Sequence, residues 1–257
     1  MAQVSSSSSK FSKARGSVTD WTKDVRPTTG KTLEAFWNIV RHRHPETHTD
    51  WASFAPEVTF IDLFAGLGHV TQSAIQMGCG KVYAVEKHPK RCRHIQENTS
   101  KYLPPTQTLA QTTTQALQVI QADVCQWVKR PPVVPCRYPL VYIDPPYELP
   151  PAVGLHAFWW QSILQPLTQA LPNAASSAPN TPVSNALPPW WYPPRQPWGM
   201  MVLECRAKEL EALVRCLDDL RSASYPHVTD LNFFVDFQRV YGEAGLIFLS
   251  QNGKVNT

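Results

Sequence analysis

The chain has 257 residues, of which 43% are hydrophobic and 17% charged, a composition typical of a folded globular domain rather than of a disordered segment. No apolar run approaches the roughly 20 residues that a membrane-spanning helix needs. The six cysteines have neither Cys-x-x-Cys spacing nor paired histidines nearby, so neither a zinc cluster nor a disulfide framework is expected. We therefore expect a single domain without a metal site in a reducing compartment.

The positive charge of the chain lies mostly near its start. The net charge is +4, and the first 50 residues hold eight Lys or Arg against five Asp or Glu. Residues 1–16 are rich in Ser, carry Lys10, Lys13 and Arg15 and contain no acid, which is typical of a transit peptide or of a disordered tail. We predict a tail over residues 1–24 and a mitochondrial location, with a cytoplasmic location as the alternative.

The first predicted element is a helix at residues 31–43. Its apolar residues recur at i, i+3, i+4 and i+7, and such a stripe is more typical of a core contact than of a ligand site. The stripe consists of Leu33, Phe36, Trp37 and Val40. Thr28 and Thr29 come just before the helix, and their hydroxyl groups are suited to cap it.

A strand is predicted at residues 58–64, followed by a turn with two glycines and a helix at residues 69–77. Strand, glycine turn and helix together are typical of a nucleotide-binding cradle, because glycines let the backbone approach a ligand and the helix N-terminus presents free N–H groups. The turn reads Gly66-Leu67-Gly68 and lacks the third glycine of the dinucleotide fingerprint, so the motif alone is weak.

Acids follow the next two predicted strands, at residues 81–85 and 116–122. Glu86 falls about 20 residues after the glycine turn, where an acid can bind the two hydroxyls of a ribose; alternatively, it caps the next helix. Ligands of an open parallel sheet bind beyond the carboxyl ends of its strands, so the acids at these ends are expected to face one cleft. They are Asp62, Glu86, Asp123 and Asp144.

The fourth predicted strand, residues 140–143, leads into the motif Asp144-Pro145-Pro146-Tyr147. An ionised Asp only accepts hydrogen bonds, so it can receive N–H from an exocyclic amine while the Tyr ring stacks on a flat base. The prolines fix φ and contribute no donors. The motif indicates methylation of an amino nitrogen on a base, although Asp-Pro-Pro also occurs in ordinary turns.

The rest of the chain continues to alternate between helices and strands. The patterns predict helices at residues 88–101, 155–171 and 208–221, a strand at 199–204, and a closing hairpin at 231–240 and 246–250. This alternation favours an α/β fold with a mostly parallel sheet that is covered on both faces and ends in an antiparallel hairpin.

An insertion at residues 172–198 separates the predicted helix 155–171 from the fifth strand. It holds eight prolines, so no packed element is expected there. Its aromatic residues predict contact with RNA or a protein partner, or packing against their own domain. These residues are Trp190, Trp191 and Tyr192.

Taken in order, four motifs resemble those of the S-adenosylmethionine-dependent methyltransferases. They are Asp62-Leu63-Phe64-Ala65-Gly66, Val85-Glu86-Lys87, Gln121-Ala122-Asp123 and Asp144-Pro145-Pro146-Tyr147. Arg26-Pro27-Thr28-Thr29 near the start and Val240-Tyr241-Gly242 near the end are similar to segments of the bacterial small-subunit ribosomal RNA guanine-N2 methyltransferase family. The resemblance implies a Rossmann-like class I methyltransferase with a seven-stranded sheet. The helix start after the glycine turn and the insertion depart from the family pattern.

The resemblance also implies a cofactor, S-adenosylmethionine, and roles for individual residues. The catalytic residues would be Asp144, Pro145, Pro146 and Tyr147. The cofactor would be bound by Thr28, Thr29, Asp62, Phe64, Ala65, Gly66, Gly68, Glu86, Lys87, Asp123 and Val124. Independently of the resemblance, the positive charge near the start predicts that Arg26, Lys31, Arg41 and Arg43 bind phosphates of RNA; the alternative is a solvated terminus and helix face.

The implied function is methylation of N2 of a guanine in small-subunit ribosomal RNA during ribosome biogenesis, with the RNA presented in a precursor particle. Two alternatives stay open. The tetrapeptide motif also permits methylation of N6 of adenine. In the second alternative, the chain is a non-catalytic RNA-binding assembly factor that has kept the methyltransferase fold.

Overall fold

The structure is a computed structural model that describes residues 20–22, 25–43, 50–103, 116–129, 138–146, 199–222 and 233–251. Several sequence predictions lie outside these residues: the helix at 155–171, the insertion at 172–198 with its three aromatic residues, most of the tail, and Tyr147.

Seven strands form one sheet, and five of them run parallel. The strands are β1 (Val58–Leu63), β2 (Lys81–Glu86), β3 (Ala116–Gln121), β4 (Tyr138–Ile143), β5 (Met200–Arg206), β6 (Phe233–Tyr241) and β7 (Ala244–Gln251). Their order in the sheet is β3-β2-β1-β4-β5-β7-β6, with β7 antiparallel to both neighbours. The chain order turns back between β1 and β4, which is where a ligand crevice is expected in an open sheet.

Six helices are described around the sheet. They are α1 (Gly30–Arg41), α2 (Trp51–Phe54), α3 (His69–Gln76), α4 (Pro89–Thr99), α5 (Val124–Trp127) and α6 (Leu210–Ser222). Thr29 caps α1, because its hydroxyl accepts a hydrogen bond from the Thr32 N–H at 3.2 Å. Among these helices, none combines the length and the hydropathy that crossing a bilayer requires.

Two apolar layers enclose the sheet, and consecutive residues of a central strand contribute to opposite layers. In β1, Phe60 packs with Phe36 and Trp37 of α1, whereas Ile61 packs with residues of α5 and α6. All six residues of β1 and of β4 are buried. Burial on both faces explains why these strands read as nearly continuous apolar runs.

The sheet confirms the fold class expected from the sequence, and the bounds of the described elements that were predicted differ from the prediction by at most two residues at either end. Three residues of the predicted tail, Asp20–Thr22, form a short 3-10 helix. The Trp21 ring packs edge-on against His94 of α4, and the Trp21 carbonyl accepts a hydrogen bond from Arg91 Nε at 2.9 Å. The chain therefore lies against α4 before it reaches α1.

Candidate active site

A cavity of about 490 Å³ opens at the carboxyl ends of β1, β2 and β4. Its size falls in the range of small-molecule sites. It is lined by Val25, Arg26, Pro27, Thr28, Asp62, Phe64, Ala65, Gly66, Leu67, His69, Val70, Glu86, Lys87, Arg91, Asp123, Val124, Cys125, Asp144, Pro145 and Pro146. The structure thus brings the four strand-end acids to one cleft, as the sequence indicated.

The turn after β1 has backbone angles that favour glycine. Gly66 and Gly68 have φ of +56° and +82°, and Phe64 also has a positive φ, of 69°. A Cβ on Gly68 would lie 2.8 Å from Ile95 Cγ1, so a side chain there would collide with α4. Gly68 itself does not line the cavity; it lets the chain turn tightly into α3.

Glu86 at the end of β2 fastens this turn. One carboxylate oxygen accepts the Gly66 N–H at 2.9 Å, and the other accepts the His88 N–H at 2.7 Å. Glu86 therefore does not cap α4, whose first turn is capped instead by the His88 ring. Each oxygen of a carboxylate has further lone pairs, so Glu86 can still accept ribose hydroxyl groups.

Asp62 and Asp123 face the cavity in different environments. Asp62 is only 2% exposed and accepts the Thr71 hydroxyl of α3 at 2.6 Å. Burial raises its pKa to about 7, with smaller increases from Glu86 and Glu204 that the Thr71 hydrogen bonds oppose. Asp123 is more exposed and pairs with Lys87 at 3.0 Å at the rim.

Asp144 follows the last residue of β4 and stands half-buried in the cavity beside Pro145 and Pro146. Its backbone N–H donates to the Leu63 carbonyl at 3.4 Å, which extends the pairing of β4 with β1. Burial raises the pKa of Asp144 well above its usual value; the charges of Glu204 and Asp62 add to this, and Arg26 opposes it. Asp144 is therefore a basic carboxylate, and a nearby cation would favour its ionised form.

Residues 25–29, here called the N-terminal strap, cross the cavity before α1 begins. A Cβ on Gly66 would lie 3.0 Å from Val25 Cγ1, so the strap passes directly over the glycine turn. Arg26 pairs with Glu243, in the turn between β6 and β7, at 3.3 Å. Thr28 lines the cavity, whereas Thr29 does not and instead caps α1.

The other predicted RNA-binding residues lie outside the cavity lining. Lys31 and Arg41 are exposed on α1. Arg43 is half-buried: it pairs with Asp236 of β6 and its guanidinium lies 4.2 Å from the Phe237 ring centroid. Arg43 thus joins α1 to the edge strand of the sheet.

The sequence reasoning missed Glu204, a fifth acid of the site. It belongs to β5, is 4% exposed, and accepts the Tyr142 hydroxyl at 2.5 Å and the Thr28 hydroxyl at 3.4 Å. The available signal was an acid near the end of the predicted strand at residues 199–204. Its position beside Asp144 depends on the pairing of β4 with β5, which the sequence does not reveal.

The fold and the cavity define an S-adenosylmethionine-dependent class I methyltransferase. The described residues fit this cofactor: Glu86 offers acceptors for a ribose, the glycine turn leaves room for close approach, and the acids Asp62 and Asp144 in the cavity would attract the positive charge of a sulfonium. Within the described residues, no group of His, Cys, Asp and Glu is arranged to hold a metal ion.

Comparison with known proteins places the chain in a family. Residues 12–162 match the model of the family described as conserved hypothetical protein 95, and the chain belongs to that family. Membership confirms the family resemblance that the motifs indicated; this family is called RsmD-like below. None of the curated proteins matches the sequence.

Solved structures with a similar fold come from several organisms. A methyltransferase candidate from Escherichia coli is 13% identical, with a TM-score of 0.50 and coverage of 91% of each chain. A methylase candidate from Haemophilus influenzae is 14% identical, with a TM-score of 0.49 and coverage of 88% of this chain and 99% of that one. An RNA methyltransferase candidate from Pyrococcus horikoshii is 15% identical, with a TM-score of 0.47 and coverage of 90% and 89%. At 13% identity and a TM-score of 0.50, the likeness to the Escherichia coli structure concerns the fold alone.

Proposed function

We propose that this chain transfers a methyl group from S-adenosylmethionine to N2 of a guanine in small-subunit ribosomal RNA. The observation that carries the proposal is the position of Asp144: it stands in the same cavity as the glycine turn and Glu86. Membership in the RsmD-like family and the Arg-Pro-Thr-Thr segment support guanine in ribosomal RNA as the substrate.

Asp144 acts on the amine, which is a poor nucleophile because its lone pair is delocalised into the base. The carboxylate accepts an N–H, and the Pro145 carbonyl offers a second acceptor, so the nitrogen can become pyramidal. Bound S-adenosylmethionine supplies the electrophilic methyl group on its sulfonium. The amine nitrogen gains a bond to the methyl carbon, the bond between that carbon and the donor sulfur breaks so that S-adenosylhomocysteine leaves, and the nitrogen loses a proton to Asp144 or to water. We propose that Tyr147, outside the described residues, stacks on the base.

The electrostatics of the cavity suit this role. The raised pKa of Asp144 makes it a stronger acceptor than an exposed carboxylate. A sulfonium cation in the cavity would stabilise the ionised form, because an opposite charge lowers the pKa of an acid. Asp144 therefore becomes a competent acceptor when the cofactor is in place.

The RNA must present its target base outside a duplex, because a stacked and paired base cannot reach a cavity of this kind. We propose that the protein meets the RNA within a small-subunit precursor particle. A mitochondrial location is part of the proposal and is supported by the serine-rich, acid-free composition of residues 1–16. A protein partner at Trp190, Trp191 and Tyr192 is likewise proposed from composition alone.

The test is methyl transfer from labelled S-adenosylmethionine to small-subunit ribosomal RNA, with mass spectrometry of the digested nucleosides. N2-methylguanosine is the expected product; N6-methyladenosine would favour the adenine alternative. Asp144→Ala should lower transfer by about 10²-fold or more while it leaves binding of S-adenosylhomocysteine largely intact. Full transfer by Asp144→Ala would refute the catalytic assignment. Absence of cofactor binding by the unaltered protein would favour the assembly-factor alternative.

A further inference from the structure

Glu204 is a buried acid that no motif explains, and it lies where three parts of the fold meet. In the sheet, Tyr142 is paired with Asp62 on one side and with Val202 on the other. Side chains two residues apart on a strand share a face, so Asp62, Tyr142 and Glu204 all project toward α1 and α3. The last described pair of β4 and β5 is Ile143 with Leu203. Asp144 and Glu204 each follow one member of this pair, so the two acids lie side by side.

A single oxygen of Glu204 joins the strap to the catalytic strand. Glu204 Oε2 accepts the Tyr142 hydroxyl at 2.5 Å and the Thr28 hydroxyl at 3.4 Å. Tyr142 belongs to β4, two residues before Asp144, and Thr28 belongs to the strap. Glu204 is not part of the cavity lining, so it affects the cavity through its contacts with Thr28 and Tyr142.

We propose that Glu204 is a positioning residue for methyl transfer: its carboxylate holds the strap over the cofactor cavity and ties the strap to the strand that carries Asp144. This proposal rests on the proposed function and deepens it. The strap supplies four residues of the cavity wall, Val25, Arg26, Pro27 and Thr28, so its position determines whether the cavity is closed on that side.

The charges around Glu204 make its role measurable. The titratable and charged groups that face this cluster are Asp62, Glu86, Tyr142, Asp144 and Arg26; Cys205 lies on the opposite face of the sheet, where the charges of Glu209, Glu204 and Asp144 act on it. After burial, the charge of Glu204 is the largest cause of the raised pKa of Asp144. Removing that charge lowers the pKa of Asp144, so Asp144 stays ionised to lower pH.

The first experiment measures binding of S-adenosylhomocysteine by calorimetry, without RNA, in a cycle of Thr28→Val, Glu204→Ala and the double variant. Thr28→Val keeps the shape of the side chain and removes its hydrogen bond, so we expect about 3- to 10-fold weaker binding. The double variant should bind no more weakly than Glu204→Ala, because both changes break the same link. Additive losses would overturn the proposal, as would unchanged binding by Thr28→Val.

The second experiment follows S-adenosylmethionine affinity against pH for the unaltered protein and Glu204→Gln. Gln keeps an acceptor for both hydroxyls and loses only the charge. Affinity should fall on the acid side as Asp144 is protonated, and in Glu204→Gln this fall should move to lower pH. S-adenosylhomocysteine, which lacks the sulfonium charge, should show a smaller shift. Coincident profiles for the two proteins would overturn the electrostatic part of the proposal.

Two controls separate this role from general stability and from the proposed function. Glu211→Gln makes the same charge change on the exposed face of α6, where Glu211 pairs with Arg215 at 3.1 Å, and should leave both binding profiles unchanged. If Glu204→Ala fails to fold, unchanged cofactor binding by Thr28→Val, or coincident pH profiles for Glu204→Gln and the unaltered protein, would still overturn the proposal. Both experiments read cofactor binding, so they stand even if no RNA is methylated.

Discussion

Replacing Gly66 by alanine should reduce both stability and cofactor affinity, and the structure indicates by how much. Gly66 has a φ of +56°, a region where an L side chain costs about 1–2 kcal/mol. The new Cβ would also lie 3.0 Å from Val25 Cγ1, so the strap must move by a few tenths of an ångström. We expect the free energy of unfolding to fall by about 1–2 kcal/mol and the Kd for S-adenosylmethionine to rise about tenfold.

Gly78→Ala is the matched control for this variant. Gly78 has a φ of +85°, so alanine there carries a similar backbone cost, but its Cβ would meet only Ala55 Cβ at an ordinary 3.6 Å. Gly78 lies at the end of α3 away from the cavity lining. Urea unfolding and calorimetry would compare the two. If both variants lose the same stability and both keep normal cofactor affinity, the reasoning about the strap is refuted.

Three further variants test other parts of the structure. Burial raises the pKa of Asp62 to about 7, so the free energy of unfolding should fall as pH rises from about 4 to 7. Asp62→Asn should remove up to about 1.4 kcal/mol per pH unit of this fall, measured by urea unfolding. An unchanged pH dependence in Asp62→Asn would contradict the raised pKa. Lys31→Ala should weaken RNA binding and reduce its salt dependence by about one counterion in filter-binding titrations. Arg43→Ala should instead lower the melting temperature, because Arg43 pairs with Asp236. An unchanged melting temperature together with weaker RNA binding would argue against a structural role for Arg43.

The sequence was informative wherever the signal is local. Mostly apolar runs predicted the parallel strands, and the acid at or near the end of each of four runs predicted the four carboxylates of the cleft, because parallel strands end at one edge of a sheet. The positions of Thr28 and Thr29 just before α1 likewise predicted the cap that Thr29 provides. These inferences need only neighbours in the chain and one rule of topology.

The features that the sequence did not reveal depend on distant pairs. Glu204 looked like one polar residue in an apolar strand, and its partner Thr28 is 176 residues away. Arg43 was assigned to RNA from local charge, whereas its contacts with Asp236 and Phe237 come from the packing of α1 against an edge strand. The order of the strands is also not visible in the sequence, because it depends on which strands, distant in the chain, pair with each other.

The position of β7 affects when the protein can begin to work. β7 is the last described strand along the chain, yet it pairs with β5 on one side and β6 on the other. While a nascent polypeptide still has these residues in the ribosomal exit tunnel, β5 remains an open edge and Arg26 has no Glu243 to meet. The chain therefore completes its cofactor site only after residues 244–251 have left the tunnel.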